Sequence, residues 1–230
     1  MLKILLFALL WRILGNPFLA LLVLLVVLYI LDRRFVGLTP SLVKPFRRQS
    51  RMTALRRQLA VNNNDVSAKH ELARLWMERK KYGEARRLLE PMKDSHATQD
   101  SAEFWDDYGT CLLYTGSAAE GEAAIRRALA INSNVKYGQP HLRLAAWYSD
   151  KDKGNDPAKA LLELEAFRSI QSSSCEGYYR LALIKARLGQ RTEAKEALDE
   201  ALGIYRVLPR YKKKEERKWA FRSLMRKWFA

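Results

Sequence analysis

The sequence predicts an all-α chain: an α-solenoid of about four helix-turn-helix repeats with capping helices, preceded by an N-terminal transmembrane helix. Three observations carry that expectation. Small residues recur at Ala73, Gly109, Ala145 and Ala182, separated by 36, 36 and 37 positions. A second small set, Ala85, Gly121, Ala160 and Ala194, follows the first at 12, 12, 15 and 12 positions. The run Phe18 to Leu31, FLALLVLLVVLYIL, is unbroken and apolar. A fixed period of about 20–50 residues marks stacked units, each unable to bury its apolar face alone.

Residues 1–34 read as a membrane anchor with a span over about 13–31. From Ile13 to Leu31 only Asn16 is polar. A bilayer core of about 30 Å takes about 20 helical residues. Leu2 to Trp11 is also apolar, and it either extends the span or lies in the interface. No small-x-small cleavage site follows the run, which favours an uncleaved anchor over a signal peptide. Lys and Arg are more numerous after the span (Arg33, Arg34, Lys44, Arg47, Arg48, Arg51) than before it (Lys3, Arg12), so the repeats are expected on the cytoplasmic side of the cell membrane, single-pass. Residues 35–51, with Gly37, Pro40 and Pro45 among the bases, read as a stiff juxtamembrane connector. Its cations either rest on anionic headgroups or only set topology. Residues 52–65 read as an N-terminal capping helix with Leu55 and Leu59 inward, closed by Asn62-Asn63-Asn64.

The repeat array covers 66–206, as repeats of about 66–101, 102–137, 138–174 and 175–206. Its clearest unit is Trp105 to Asn132. Trp105, Tyr108 and Leu112 fall on one helical face, Gly116-Ser117 makes a turn, and Gly121, Ile125 and Ala128 line a second helix. Gly109 and Gly121 let the two helices approach closely. Ser117 and Glu120 match a capping box. The large residues of the other units agree: Leu72, Trp76, Tyr82 and Leu89, then Leu144, Tyr148, Leu164 and Phe167, then Tyr178, Leu181 and Leu198. Three extra residues enlarge the turn of the third unit, within Asp150 to Pro157, where Asp156 and Pro157 suit an N-cap and first helical position.

Trp105, Tyr108, Gly109, Leu112, Gly121, Ile125, Ala128 and Ser133 together resemble the tetratricopeptide repeat (TPR) pattern, with Gly121 in place of Ala and Ser133 in place of the closing Pro. The resemblance implies a concave groove lined by the first helices. Its groove positions are His70, Arg74, Met77 and Glu78, then Asp106, Asp107, Thr110 and Tyr114, then Arg143 and Ala146, then Tyr179, Arg180, Leu183 and Arg187. With basic ends and an acidic middle, such a groove suits an extended peptide of alternating charge. The TPR subfamily that clamps a terminal carboxylate would use the positions of His70, Arg74, Asp107, Gln139 and Arg143. Only Arg143 fits, and Asp107 would repel that ligand.

Formal net charge is +16, and it sits at the ends. Residues 1–60 hold ten Lys/Arg against one acid, and residues 206–230 ten against two, while residues 61–205 are near neutral with 21 against 22. Residues 207–230 read as a basic amphipathic helix with Trp219, Leu224, Met225 and Trp228 on one face. It is either the last helix of the stack or a helix that binds anionic lipid or nucleic acid. Cys111 and Cys175 fit no disulfide or metal framework, and Cys111 reads as a small packing residue. His70, His96 and His141 form no cluster, and no phosphate loop or nucleophile elbow is present. Asp106-Asp107 reads as a solvated or partner-facing surface. The expectation is therefore a non-enzymatic, membrane-anchored scaffold without cofactor or metal, which binds a protein or peptide. The alternative is a peripheral protein working through its basic C-terminal helix.

Overall fold

The computed structural model describes residues 9–31 and 43–228, and these form two compact units, residues 1–50 and 51–230. The described residues are helical, without strands.

In the first unit, residues 9–14 are helical and α1 runs Pro17–Leu31. The expected span over 13–31 is not one helix. Gly15 takes a left-handed φ of 65°, and Asn16 caps α1 by accepting the Phe18 amide at 2.9 Å. Pro17 then occupies the first helical position, where its missing N–H costs nothing. The resulting 15 residues reach about 22 Å at 1.5 Å per residue. Among the described residues no helix is long and apolar enough to cross a membrane. Arg33 and Arg34 lie outside the described residues, as does the side chain of Lys44.

The capping helix begins earlier than its sequence pattern suggests: α2 runs Val43–Val61, so Arg47, Arg48 and Arg51 stand on a helix and not on a stiff connector. Pro45, within its first turn, has no intrahelical bond to lose there. Met52 and Leu55 are buried against Ala68 and Leu72 with Leu59 beside them, and Arg51 pairs with Glu71 at 2.6 Å. That pair is exposed and contributes little. The apolar i, i+3 contact is what docks α2 on the first repeat.

The four repeats are α3 (Val66–Glu78) with α4 (Tyr82–Leu89), α6 (Ala102–Tyr114) with α7 (Ala118–Ile131), α8 (Gln139–Tyr148) with α9 (Pro157–Ile170), and α10 (Cys175–Arg187) with α11 (Arg191–Val207). The short α5 (His96–Gln99) lies between the first two repeats, and α12 (Arg210–Trp228) ends the stack. Helix starts are set locally. Asp65 accepts the Ala68 amide, Ser101 that of Phe104, Asp156 that of Lys159 and Ser174 that of Gly177. Each capping oxygen satisfies one amide orphaned at a helix start. Ser117 departs from the expected capping box. Its side chain makes no cap bond and instead accepts from the Arg86 guanidinium at 3.2 Å, alongside Thr115 at 3.2 Å. The cross-repeat donor has taken the hydroxyl that the amide would have used. Between the two helices of each repeat one residue is left-handed: Lys80, Gly116, Asn155 and Gly189. Only two of the four are glycine, so this position is invisible in a search for Gly alone.

The core is continuous along the stack. Phe104, Trp105, Tyr108 and Leu112 from α6 fill the space beside Ala73, Ala85 and Leu89 of the first repeat. Leu144, Leu164, Phe167 and Ile184 do the same between the third and fourth. Polar atoms of these aromatics find partners: the Trp105 indole donates to the Gln99 carbonyl at 3.0 Å, and the Tyr108 hydroxyl to Glu90 at 2.8 Å. Cys111 and Cys175 are both fully buried, and burial raises each thiol to about 12. They pack as small apolar groups.

Helices α6 and α7 meet backbone to backbone. A Cβ at Gly109 would lie 2.7 Å from the Gly121 carbonyl oxygen, and one at Gly121 would lie 2.7 Å from the Leu113 amide nitrogen. Both obstacles are backbone, so neither can swing aside. Gly203, inside α11, has nothing within 4 Å of its would-be Cβ. Gly121→Ala should therefore destabilise the protein by about 1–3 kcal/mol, as overpacking does, while Gly203→Ala should stabilise it by up to about 1 kcal/mol through helix propensity. Chemical denaturation of the two variants checks this opposition of sign.

Candidate functional site: the first-helix face

The first helices α3, α6, α8 and α10 carry the expected groove residues, but the structure uses them in two ways. In the first three repeats they close on one another. The side chain of Asp106 is fully buried and that of Asp107 nearly so, contrary to the expected solvated pair. Asp107 accepts from His70 Nε2 at 2.9 Å, from Arg74 Nε at 2.7 Å and from Lys136 Nζ at 2.6 Å. Asp106 accepts from Lys136 Nζ at 2.8 Å and from the Arg143 guanidinium. Arg143 also donates to the Thr110 hydroxyl at 2.9 Å, which in turn donates to the Asp106 carbonyl at 2.7 Å. Arg74 reaches Glu103 as well. His70, Arg74, Asp106, Asp107, Thr110 and Arg143 are thus one charge-matched cluster that ties three repeats together.

Lys136 is absent from the groove positions that the sequence pattern implies. It precedes α8 in a 3₁₀ turn, Val135–Gly138, in which Lys136, Tyr137 and Gly138 all have positive φ, at 48°, 55° and 75°. Two non-glycine residues in succession there are strained. The strained turn is what delivers the ammonium to both carboxylates. No spacing rule points to it; the signal available was two adjacent acids on a packed helix, which require cations from elsewhere.

Burial works to raise the carboxyl of Asp107, but the bonds from His70, Lys136 and Arg74 outweigh it and hold the group well below the usual carboxylate range. Glu163 repeats the arrangement between α7, α8 and α9. It is buried, bonded to His141 Nδ1 at 2.7 Å and to Arg126, and held below its ordinary value once those partners offset burial.

The remaining groove residues are scattered. Met77 is half-buried and packs on the core, and Glu78 is exposed. Tyr114 is 38 % exposed and stacks on Tyr82 with centroids 4.5 Å apart, edge-on to Trp147 at 6.0 Å. Lys153, from the enlarged turn of the third repeat, sits 5.3 Å from the Tyr114 ring centroid and 5.6 Å from that of Trp147. Arg187 donates to the Ser149 carbonyl at 2.9 Å and to Asn155, which fastens that turn. Tyr179 packs against Trp219 of α12 at 5.6 Å, and Arg180, bonded to Glu176 at 2.6 Å, lies over the same indole at 5.2 Å.

α12 is the last helix of the stack. Ala220 and Ser223 are buried, and Glu216 accepts the Glu176 amide at 3.3 Å and the Ser174 hydroxyl at 3.5 Å at the start of α10. Of the face expected from sequence, Trp219 is half-buried, while Leu224, Met225 and Trp228 are exposed together with Phe221.

No family profile matches the sequence, and a comparison with curated proteins finds no match. The fold is similar to solved TPR structures. A crystal structure of MamA matches with a TM-score of 0.56 at 21% identity over 79% of this chain and 98% of that one. A second crystal structure of MamA gives 0.57 at 22% identity, over 70% and 85%. YrrB, described as a TPR protein with an unusual peptide-binding site, gives 0.52 at 18% identity, over 71% and 80%. The chain is thus a TPR-type α-solenoid.

Asp107 is ionised in the fold and loses its partners on unfolding. A group with a depressed folded value contributes stability above its unfolded value, near pH 4, and that stability is lost as pH falls toward the folded value. Asp107→Asn should cost about 2–3 kcal/mol at neutral pH, below the full cost of breaking a buried pair because Arg74 is partly solvated. It should also flatten the loss of stability below about pH 4. Urea melts of both proteins across pH check the sign.

Proposed function

We propose that this chain is a non-enzymatic adaptor whose repeat array binds a protein partner as an extended peptide, held at the cell membrane by its N-terminal segment with the repeats on the cytoplasmic side. The observation that carries the binding role is a line of half-exposed aromatics across three repeats, Tyr82, Tyr114 and Trp147, on a TPR-type solenoid. Partly exposed rings offer large contact area at low entropic cost. The scaffold beneath is rigid, because the buried acids already cross-tie its repeats, so little ordering is needed on binding.

Support for membrane association is the apolar character of α1 on almost every side. Phe18, Leu22 and Leu25 are exposed, whereas Ala20 and Leu24 are buried. A contiguous exposed apolar surface of this kind needs cover. The bases Arg33, Arg34, Lys44, Arg47, Arg48 and Arg51 come after it in the chain and suit an anionic cytoplasmic leaflet. Tethering raises effective concentration, so a modest groove affinity suffices.

Photocrosslinking in membranes tests the binding role, with a photoreactive residue at Tyr114 or Trp147 and a control at exposed Glu165 on α9. The expected result is one predominant protein, identified by mass, captured from the two aromatic positions and not from the control. Equal capture from all three positions would overturn the reading.

A further inference from the structure

The first-helix face differs in charge between its two ends. In the first three repeats Arg74, Lys136 and Arg143 are each answered by Asp106, Asp107 or Glu103. Toward the C-terminal end the matching is incomplete. Two hollows, of about 440 and 360 Å³, share Arg226 in their walls: the first lies between α10, α11 and α12, the second between α10 and α12. Tyr179 and Ala182 come from α10, Arg191 and Lys195 from α11, and Met225 and Arg226 from α12. Among the described residues Arg191, Lys195 and Arg226 make no ion pair, and no carboxylate lines either hollow. The acids flanking them on α11 are occupied elsewhere, Glu193 by Lys185 at 2.7 Å and Asp199 by Lys227, and Glu196 lies outside the lining.

We propose that this cleft between α10, α11 and α12 is the docking site for an acidic peptide segment carrying small apolar side chains. It rests on the adaptor reading and gives the partner a chemistry. The cations supply charge complementarity, and the alanine and methionine side chains between them accept apolar groups that a purely ionic surface would not. Arg191 and Lys195 line the first hollow from α11, and Arg226 lines it from α12. Carboxylates docked there would meet cations that no acid in the lining answers.

The test uses the full chain in mild detergent and a fluorescein-labelled peptide of Glu, Ala and Leu, read by anisotropy. The wild type should bind it, bind a Lys, Ala and Leu counterpart at least tenfold more weakly, and lose affinity as salt rises. Lys195→Glu with Arg226→Glu should weaken binding at least tenfold, and Arg226→Lys should retain it. If the double variant fails to fold by circular dichroism, Arg191→Glu, at the exposed start of α11, serves instead. Absence of binding by the wild type, equal affinity in the charge-reversed protein, or displacement of the peptide by phosphatidylglycerol but not by phosphatidylcholine in the micelles would each overturn the proposal. Crosslinks at Tyr114 that persist in the charge-reversed protein would leave the adaptor reading standing and remove only this site.

Discussion

Two carboxylates side by side on one turn of a buried helix need cations beside them, and α6 holds none. Asp106 and Asp107 therefore impose a condition on the rest of the array: α3 must bring His70 and Arg74, α8 must bring Arg143, and the turn before α8 must bend to bring Lys136. Removing one partner from such a cluster leaves a buried charge exposed to its own desolvation cost, while the intact cluster fixes which repeats meet and in what register. Apolar packing alone does not discriminate as sharply, because each repeat presents a similar stripe of Leu, Ala and aromatic residues.

The same condition shapes function. A groove whose cations are committed to internal acids has little net field to offer a ligand. In the proposed reading the first three repeats serve as a frame that shows aromatic rings, and charge recognition falls to the C-terminal end, where Arg191, Lys195 and Arg226 make no ion pair among the described residues. α12 contributes there by covering the start of α10 through Glu216, while its distal half lies along α11, with Ser223 buried and Lys227 paired with Asp199. Terminal helices of solenoids must shield an apolar face; this one does so and also builds one wall of a cleft.

The repeat register was legible in the sequence because a period of 36 or 37 residues repeats backbone geometry. Gly109 and Gly121 were legible for the same reason, since only small residues tolerate a backbone approach that tight. Side-chain commitments were less so. Helical spacing puts Asp106 and Asp107 on the first-helix face, but whether that face is wet depends on which residues lie opposite, and Lys136 reaches them through a left-handed turn that no periodicity encodes. The apolar N-terminal run was legible as a composition, yet its length as a helix was set by Gly15, Asn16 and Pro17, which end one helical segment and start another. Ser117 shows the limit of local motifs, as its hydroxyl went to Arg86 from another repeat.

The Asp107–Lys136 contact couples the second repeat to the turn that starts the third. A double-mutant cycle for folding stability with Asp107→Asn and Lys136→Met measures that coupling directly. An interaction energy of at least about 1 kcal/mol is expected, typical of charged groups sharing one network. Additive effects, with no interaction energy beyond about 0.3–0.5 kcal/mol, would contradict it.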